Sequence, residues 1–524
     1  MTSQYDNNRD GYNPHETKIT PANIFTNGLT LLAPLLVDTP PSSVFPAWMS
    51  EYGIETNLIY AQPLYTAGIT VNSGGTVGQP GNCTSAAGEY TCNMLVAETL
   101  YGSVWAWNAD TGNLIFSRQG TTNTAGQNAL WYDDCPNPAI PKNGQGGVGS
   151  LPFAGIVSTP VIDPTIAVPS TGLYGVMFLT SLCRDTQSAT SRWYLHELDL
   201  TNGLLDVSGS NSPVQMEGSA TNNSSVTFAP GSVLQRSALL EVRNSSATPS
   251  NVIYAPFGSA VPEASTSYPY DGWLFGYSVS GSVISTTPDF IFDTTPTGPS
   301  GNTGSPGCYC PSSCANAAPT SYQTQPNWCG HGGGIWMSSR GMAANTVSGV
   351  SNAFVGVGNG AFQTSSLNWG SSVLDFTYST SGVGASPSQS FTPQGGLFAG
   401  DLLGNGTTNL ITNCGTTGSP AACTSTVESL NQNDWDMSAS GILLFTDSDG
   451  NNWLLTIDKG GLGYLLKQSS LGGYTSNDAG NQFPFAAASE PCWTLGVSNA
   501  SGCHRITSMA FYNNTLYYGL SMSC

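Results

Sequence analysis

Gly102-Ser103-Val104-Trp105-Ala106-Trp107-Asn108-Ala109-Asp110-Thr111-Gly112 is the stretch from which the fold is read. A short apolar run with two indoles stops at Asn-Ala-Asp-Thr-Gly. That ending joins two antiparallel strands through a tight turn whose Gly is free to take positive φ. The unit recurs as Trp193-Tyr194-Leu195-His196-Glu197-Leu198-Asp199-Leu200-Thr201-Asn202-Gly203 and as Gly272-Trp273-Leu274-Phe275-Gly276-Tyr277-Ser278-Val279-Ser280-Gly281. Gly461-Leu462-Gly463-Tyr464-Leu465-Leu466 is a reduced copy. No long stretch has a helical period. Short strands between Gly, Pro, Asn and Asp turns, repeating every roughly 50–80 residues, predict an all-β repeat fold of the propeller kind.

The expectation is one β-propeller over residues 1–524, with eight blades or alternatively seven, each a four-stranded antiparallel sheet. The N-terminal segment is expected to supply an outer strand near the ring closure. Polar stretches such as Ser208 to Thr227 and Thr294 to Thr324 are expected to be long loops on one face, where function tends to sit.

Composition narrows the setting. Charged residues make up 8% of the 524, and the net charge is −20 at pH 7. Acidic excess speaks against a nucleic-acid partner. Strong acid would neutralise the carboxylates and leave at most sixteen positive charges on the chain, so self-repulsion would be weak. A surface of Ser, Thr, Asn and Gly does not titrate, which suits an acidic exterior. No run of eighteen apolar residues occurs, so no transmembrane span is expected.

Thirteen cysteines favour an oxidising compartment. Cys83 with Cys92, Cys414 with Cys423, and Cys492 with Cys503 bracket polar stretches as loop staples would, and Cys135 with Cys183 is a longer-range candidate. Cys308, Cys310, Cys314 and Cys329 form a cluster whose spacing is not a standard zinc pattern, so disulfides lead there. Cys524 is the odd one: free, paired between chains, or separated from a partner in a missing tail. Met1-Thr2-Ser3 lacks a basic region and an apolar core, which reads as a mature or trimmed form of an exported protein. Its place is extracellular or periplasmic. Seven Asn-x-Ser/Thr sequons, at Asn82, Asn222, Asn223, Asn244, Asn405, Asn499 and Asn513, mark it as a glycoprotein only where the source glycosylates exported chains.

The chemistry-bearing residues concentrate between Trp328 and Gly360. Cys329, His331, Trp336 and Arg340 lie within thirteen residues, in a chain with four His and twelve Lys plus Arg. The plain alternative is a crowded strand crossing with a disulfide and a packed indole. Asp434-Trp435-Asp436 comes later, followed by Lys459. In a strand, positions i and i+2 share a face, so Asp434 and Asp436 could reach one site; the alternative for either is turn capping.

These residues carry a resemblance. Tyr5-Asp6-Asn7-Asn8-Arg9-Asp10-Gly11-Tyr12-Asn13, Glu16 to Asn23, Tyr60 to Tyr65, Val104 to Gly112, Ser158 to Asp163, Gly333 to Asn345, Asp434 to Asp436 and Lys459 to Tyr464 resemble, in order, the pyrroloquinoline-quinone-like β-propellers of bacteria and archaea. Among those, size and low charge look like the tetrathionate hydrolases of acidophilic sulfur oxidisers. The runner-up is the quinoprotein dehydrogenases. Their adjacent Cys-Cys pair is missing here, and Phe116 stands where their docking motif has Trp.

The resemblance implies an exported hydrolase cleaving tetrathionate to thiosulfate, sulfate and sulfur. Its partner is a small anionic sulfur compound, no cofactor or metal is expected, and the assembly is a homodimer. Arg340, His331 and Lys459 would bind the sulfonates and Trp336 would wall the sulfur chain. Asp434 or Asp436 would move the proton, with Cys329 as an alternative nucleophile. A non-catalytic surface or assembly propeller is the third reading.

Overall fold

The computed structural model describes residues 6–10, 35, 59–72, 83–86, 89–119, 129–130, 134, 155–184, 191–245, 251–259, 270–296, 332–337, 340–360, 362–363, 368–379, 382–393, 436–437, 439–459, 462–473, 482–484 and 504–522. These fall into two compact units. One contains residues 11–216 and the other 7–10, 217–278 and 288–524.

Among the described residues nearly all regular structure is antiparallel strand, in the sequential meanders of a propeller-like all-β fold. In the first unit, Leu64–Val71, Glu89–Glu98, Val104–Asn108 and Leu114–Arg118 form one sheet, and Val161–Ala167, Tyr174–Arg184, Ser191–Asp199 and Val214–Met216 form another. The opening motif behaves as its sequence predicts. Val104–Asn108 pairs with Leu114–Arg118 across the Asn108–Gly112 turn, where Gly112 has φ 75°. The amides of Asp110 and Thr111 donate to Asn108 Oδ1 at 2.8 and 3.3 Å, an Asx turn. Trp105 and Trp107 point to one side of the sheet and stack at 5.9 Å, while Val104 and Ala106 enter the core with Met94, Val96, Met177 and Leu179.

In the second unit, Leu240–Arg243, Asn251–Ser259, Trp273–Ser280 and Phe290–Asp293 make a sheet. Ala343–Val347, Val350–Val357 and Ser372–Ser379 make the next, with Gln389–Phe391 on its far side. Ile442–Thr446, Asn452–Ile457, Leu462–Lys467 and Gln482–Pro484 make a third, and His504–Tyr512 pairs with Thr515–Met522. A continuous apolar core runs through them from Leu240 and Tyr254 through Phe354 and Phe376 to Leu444 and Tyr464.

The N-terminal residues enter this unit without forming a strand. The carbonyls of Asn7, Asn8 and Asp10 accept the amides of Ala344, Leu444 and Phe511 at 2.8, 2.8 and 2.9 Å, from three successive sheets. Arg9, wholly buried with φ 58°, donates from Nε to Met342 O at 2.7 Å and from Nη2 to Leu239 O at 3.0 Å. Asn7 Nδ2 donates to Glu241 O at 2.7 Å. The outer strand expected of this segment would fall on residues outside the described ones.

The Cys83–Cys92 disulfide is present, and Cys183 is disulfide-bonded as well. The other expected pairs, the 308–329 cluster and Cys524 lie outside the described residues. Among the described residues no helix is long and apolar enough to cross a membrane.

Candidate functional site

In the second unit three glycine segments cross at very short range. Gly332 N donates to Tyr270 O at 2.8 Å, and Gly272 N donates back to Gly332 O at 3.0 Å. On the other flank Gly333 N donates to Asn359 O at 2.6 Å and Gly358 N donates to Gly334 O at 2.9 Å. A Cβ on Gly272 would stand 1.8 Å from Gly333 O, and one on Gly360 would stand 2.2 Å from Gly333 N. Only glycine permits this contact. The 332–334 segment is therefore a spine with one cluster of side chains on each flank.

The first flank carries residues expected from sequence. Asp436 Oδ1 accepts the Asn359 amide at 3.1 Å, Asp436 O accepts the Lys459 amide at 3.1 Å, and Lys459 Nζ lies 3.8 Å from Asp436 Oδ2. The Asp436 side chain is 11% exposed and Lys459 26%, so the pair reaches solvent through the ammonium. A Cβ on Gly358 would meet Asp436 Oδ1 at 2.5 Å, so the carboxylate is set against bare backbone. Trp336 is half-buried. A Cβ on Gly258 would meet its ring at 2.9 Å, and one on Gly334 would meet its Nε1 at 3.0 Å. The structure thus gathers Trp336, Asp436 and Lys459 around one spine.

Arg340 is different. It is 1% exposed and donates from Nη1 to the carbonyl of Arg9. A guanidinium enclosed in this way holds the N-terminal segment. Asp434, His331 and Cys329 lie outside the described residues.

The second flank was not foreseen. Asp271 and Asp293 are joined through Thr295, whose Oγ1 donates to Asp271 Oδ1 at 3.0 Å and whose amide donates to Asp293 Oδ1 at 2.8 Å. Thr295 Oγ1 also lies 3.1 Å from Gly332 O, which ties the pair to the spine. Asp293 is wholly buried, and its Oδ2 has no hydrogen-bond partner. Burial, and then the neighbouring Asp271, push its carboxyl well above the usual range. Asp271 is half-buried. Both residues sit at strand ends, Asp271 before Trp273–Ser280 and Asp293 closing Phe290–Asp293, where the sequence reads as turn aspartate. The nearest sequence signal is the Asp-Gly at 271–272, which looks like a hairpin.

A third cluster belongs to the first unit. Ser181 Oγ lies 3.0 Å from His196 Nε2, and His196 Nδ1 lies 2.9 Å from Asp206 Oδ1, the spacing of a nucleophile, base and acid. The chemistry does not follow. Ser181 and His196 are wholly buried, and Asp134 Oδ2 also sits 3.0 Å from Nε2. Burial works against the imidazolium, but Asp134 and Asp206 overcome it and lift the His196 pKa to about 9. A histidine held as a cation has no lone pair with which to act as a base. Arg118 Nη1 completes the network 2.9 Å from Asp206 Oδ2.

The fold raises the question of a metal-supported quinone. Among the described residues no three carboxylate, imidazole or thiol groups are placed to hold a metal ion, and the spine crossings are closed by backbone. No step is derived through that group.

No protein-family model matches the chain, and no curated protein matches it in sequence. Among solved structures it is similar to quinohemoprotein alcohol dehydrogenase from Comamonas testosteroni, with 13% identity, TM-score 0.35, and coverage of 80% of this chain and 45% of that one. It is also similar to quinohemoprotein alcohol dehydrogenase ADHIIG from Pseudomonas putida HK5, with 12% identity, TM-score 0.37, and coverage of 89% and 54%. A europium-containing methanol dehydrogenase follows at 11% identity and TM-score 0.35, with coverage of 83% and 56%. The chain spans about half the length of these proteins. The likeness is to quinoprotein dehydrogenases at low identity, and it is one of fold.

Proposed function

We propose that the protein is an exported, acid-adapted hydrolase of a small sulfur oxyanion, with tetrathionate as the substrate. The observation that supports this reading is the Asp436–Lys459 pair, 3.8 Å apart, on the same glycine spine that Trp336 packs against. Tetrathionate is a dianion with a sulfonate at each end and a chain of polarisable sulfur between. Lys459 is the sulfonate anchor, Trp336 the wall for the sulfur chain, and Asp436 the carboxyl that takes a proton from water.

Overall, S4O6²⁻ and H2O give S2O3²⁻, SO4²⁻, S and two protons, so no oxidant is consumed. The Cys83–Cys92 disulfide suits the oxidising exterior this function needs. A twofold dimer is part of the proposal and is checked by mass in solution.

The test is incubation with tetrathionate at about pH 3, below the reference carboxyl range, with thiosulfate and sulfate measured. Wild type is expected to turn over, Lys459→Ala to raise KM, and Asp436→Asn to lower kcat by about 10²-fold or more. No turnover by folded wild type rejects the hydrolase. The second reading, a quinoprotein-type dehydrogenase, takes its name from the solved structures that share the fold. Dye reduction by an alcohol or sugar after addition of quinone and calcium would establish it instead.

A further inference from the structure

We infer that Asn513 is an N-glycosylation site, and that Asn222, Asn223 and Asn244, which carry the same Asn-x-Ser/Thr pattern, are closed to a glycan by the fold. The inference is independent of the hydrolase reading and needs only an exported chain that meets a glycosylating transferase. Asn82, Asn405 and Asn499 lie outside the described residues.

The pattern alone does not distinguish these four asparagines; their surroundings in the second unit do. Asn244 is 2% exposed, and its Nδ2 donates to Gly349 O at 2.7 Å and to Tyr378 O at 3.1 Å. Both of its N–H groups are engaged, so a sugar there would strand a buried carbonyl. Asn222 and Asn223 are half-buried. Asn222 Nδ2 donates to Asp293 O at 2.8 Å, and its Oδ1 accepts the Asp293 amide at 3.1 Å. Asn223 Nδ2 donates to Pro296 O at 2.7 Å, and its Oδ1 accepts the Ser225 amide at 3.2 Å. Each of these carboxamides is fixed at both ends, and turning its nitrogen out to a transferase breaks both contacts.

Asn513 is placed the other way. His504–Tyr512 and Thr515–Met522 pair through the two-residue turn Asn513-Asn514, with φ 49° and 54°. A tight hairpin needs that left-handed pair, and asparagine tolerates it. Both turn residues are exposed, and among the described residues the Asn513 carboxamide meets no hydrogen-bond partner. Thr515 Oγ1 donates to Asn513 O at 3.3 Å, so the third residue of the pattern is folded back on the first. Tyr512 faces Thr515, and Ala510 faces Tyr517, on the side of the hairpin opposite to Met509, Phe511 and Leu516, which pack with Leu443 and Leu455. Tyr512 and Tyr517 are 50% and 53% exposed, and these rings offer the C–H face of a sugar an apolar surface beside the tip. The transfer balances. Asn513 Nδ2 bonds to the anomeric carbon of an oligosaccharide carried on a lipid pyrophosphate. The bond from that carbon to the pyrophosphate oxygen breaks, and the oxygen keeps the electron pair. One N–H proton leaves to a base of the transferase.

The experiment is glycopeptide mass spectrometry on the full chain, exported from a secretory host that N-glycosylates and purified as folded protein. The peptide containing Asn513 is expected to carry a glycan, and those containing Asn222, Asn223 and Asn244 to be bare. Asn513→Gly keeps the left-handed turn and removes the acceptor. Thr515→Val keeps the acceptor and removes the hydroxyl. Each should abolish the modification at that peptide and lower the intact mass by one glycan, whereas Thr515→Ser should retain it. A bare Asn513 in folded wild type overturns the assignment. A glycan on Asn222, Asn223 or Asn244 in the folded protein overturns their closure by the fold.

Discussion

His196 carries its charge where no water reaches it. Its partners are Asp134 and Ser181 on Nε2 and Asp206 on Nδ1, and Arg118 backs Asp206. The sign of the pH dependence follows. The His196 pKa is raised to about 9, so its contribution is complete below the unfolded value near 6.5 and is lost as pH rises through about 9. Burial would raise Asp206, but His196 and Arg118 hold it well below the carboxylate range, so its contribution is lost only in strong acid. His196→Gln should destabilise the fold by about 3–5 kcal/mol, since two carboxylates lose their cation. Thermal melts from pH 4 to 10 check this: the wild-type decline near pH 9 should be absent in the variant. Little of this was legible beforehand. His196 lies inside a recognised repeat copy, but no local pattern announces that residues 62 positions earlier and ten later converge on it.

At the scale of elements, pattern did most of the work. The Asn108–Gly112 turn and the alternation of Val104–Asn108 carry their own geometry, so the meander could be read from them. The Gly332–Gly334 segment was visible as a glycine cluster beside Trp336, and its role as a spine follows from close backbone approach. Lys459 and Asp436 were visible as a pair worth joining. Arg340 reads in the sequence as a guanidinium among glycines, the pattern of a ligand clamp. Its carbonyl partner is on Arg9, 331 residues away, and nothing local shows that. The Asn7–Asp10 segment binds three sheets through main-chain carbonyls, so its side chains, Arg9 excepted, hardly signal the role. Arg9→Ala is expected to destabilise the second unit by about 2–4 kcal/mol, the loss of charged hydrogen bonds to two buried carbonyls. Denaturant melts should show a lower midpoint, and a peptide spanning residues 1–13 added to a chain without them should raise it again.

Among the described residues several buried acids share a direction, opposite to that of Asp206. Burial pushes Glu98 up to about 8 and Asp375 up to about 6, and raises Asp199, Asp289 and Asp293. A carboxyl whose folded pKa is raised binds its proton more tightly in the fold. Stability is then greatest below the unfolded pKa near 4 and falls as pH climbs towards about 8. His196 acts in the same sense. The melting temperature should therefore be higher near pH 4 than near pH 8, and Glu98→Gln should reduce the difference; equal values at both would contradict the assignment. Composition suggested tolerance of acid, but it could not show that the interior itself prefers acid, because burial is invisible in a count of residues.

The seating of Asn7, Asn8 and Asp10 has a consequence for biosynthesis. Phe511, which donates to Asp10, is made some five hundred residues after it. A segment made early is then among the last to find its place. Until the 504–522 hairpin exists, three strand edges wait for it, and the loop to be closed is about five hundred residues long. A cargo fused just ahead of residue 7 would be carried into that closing step.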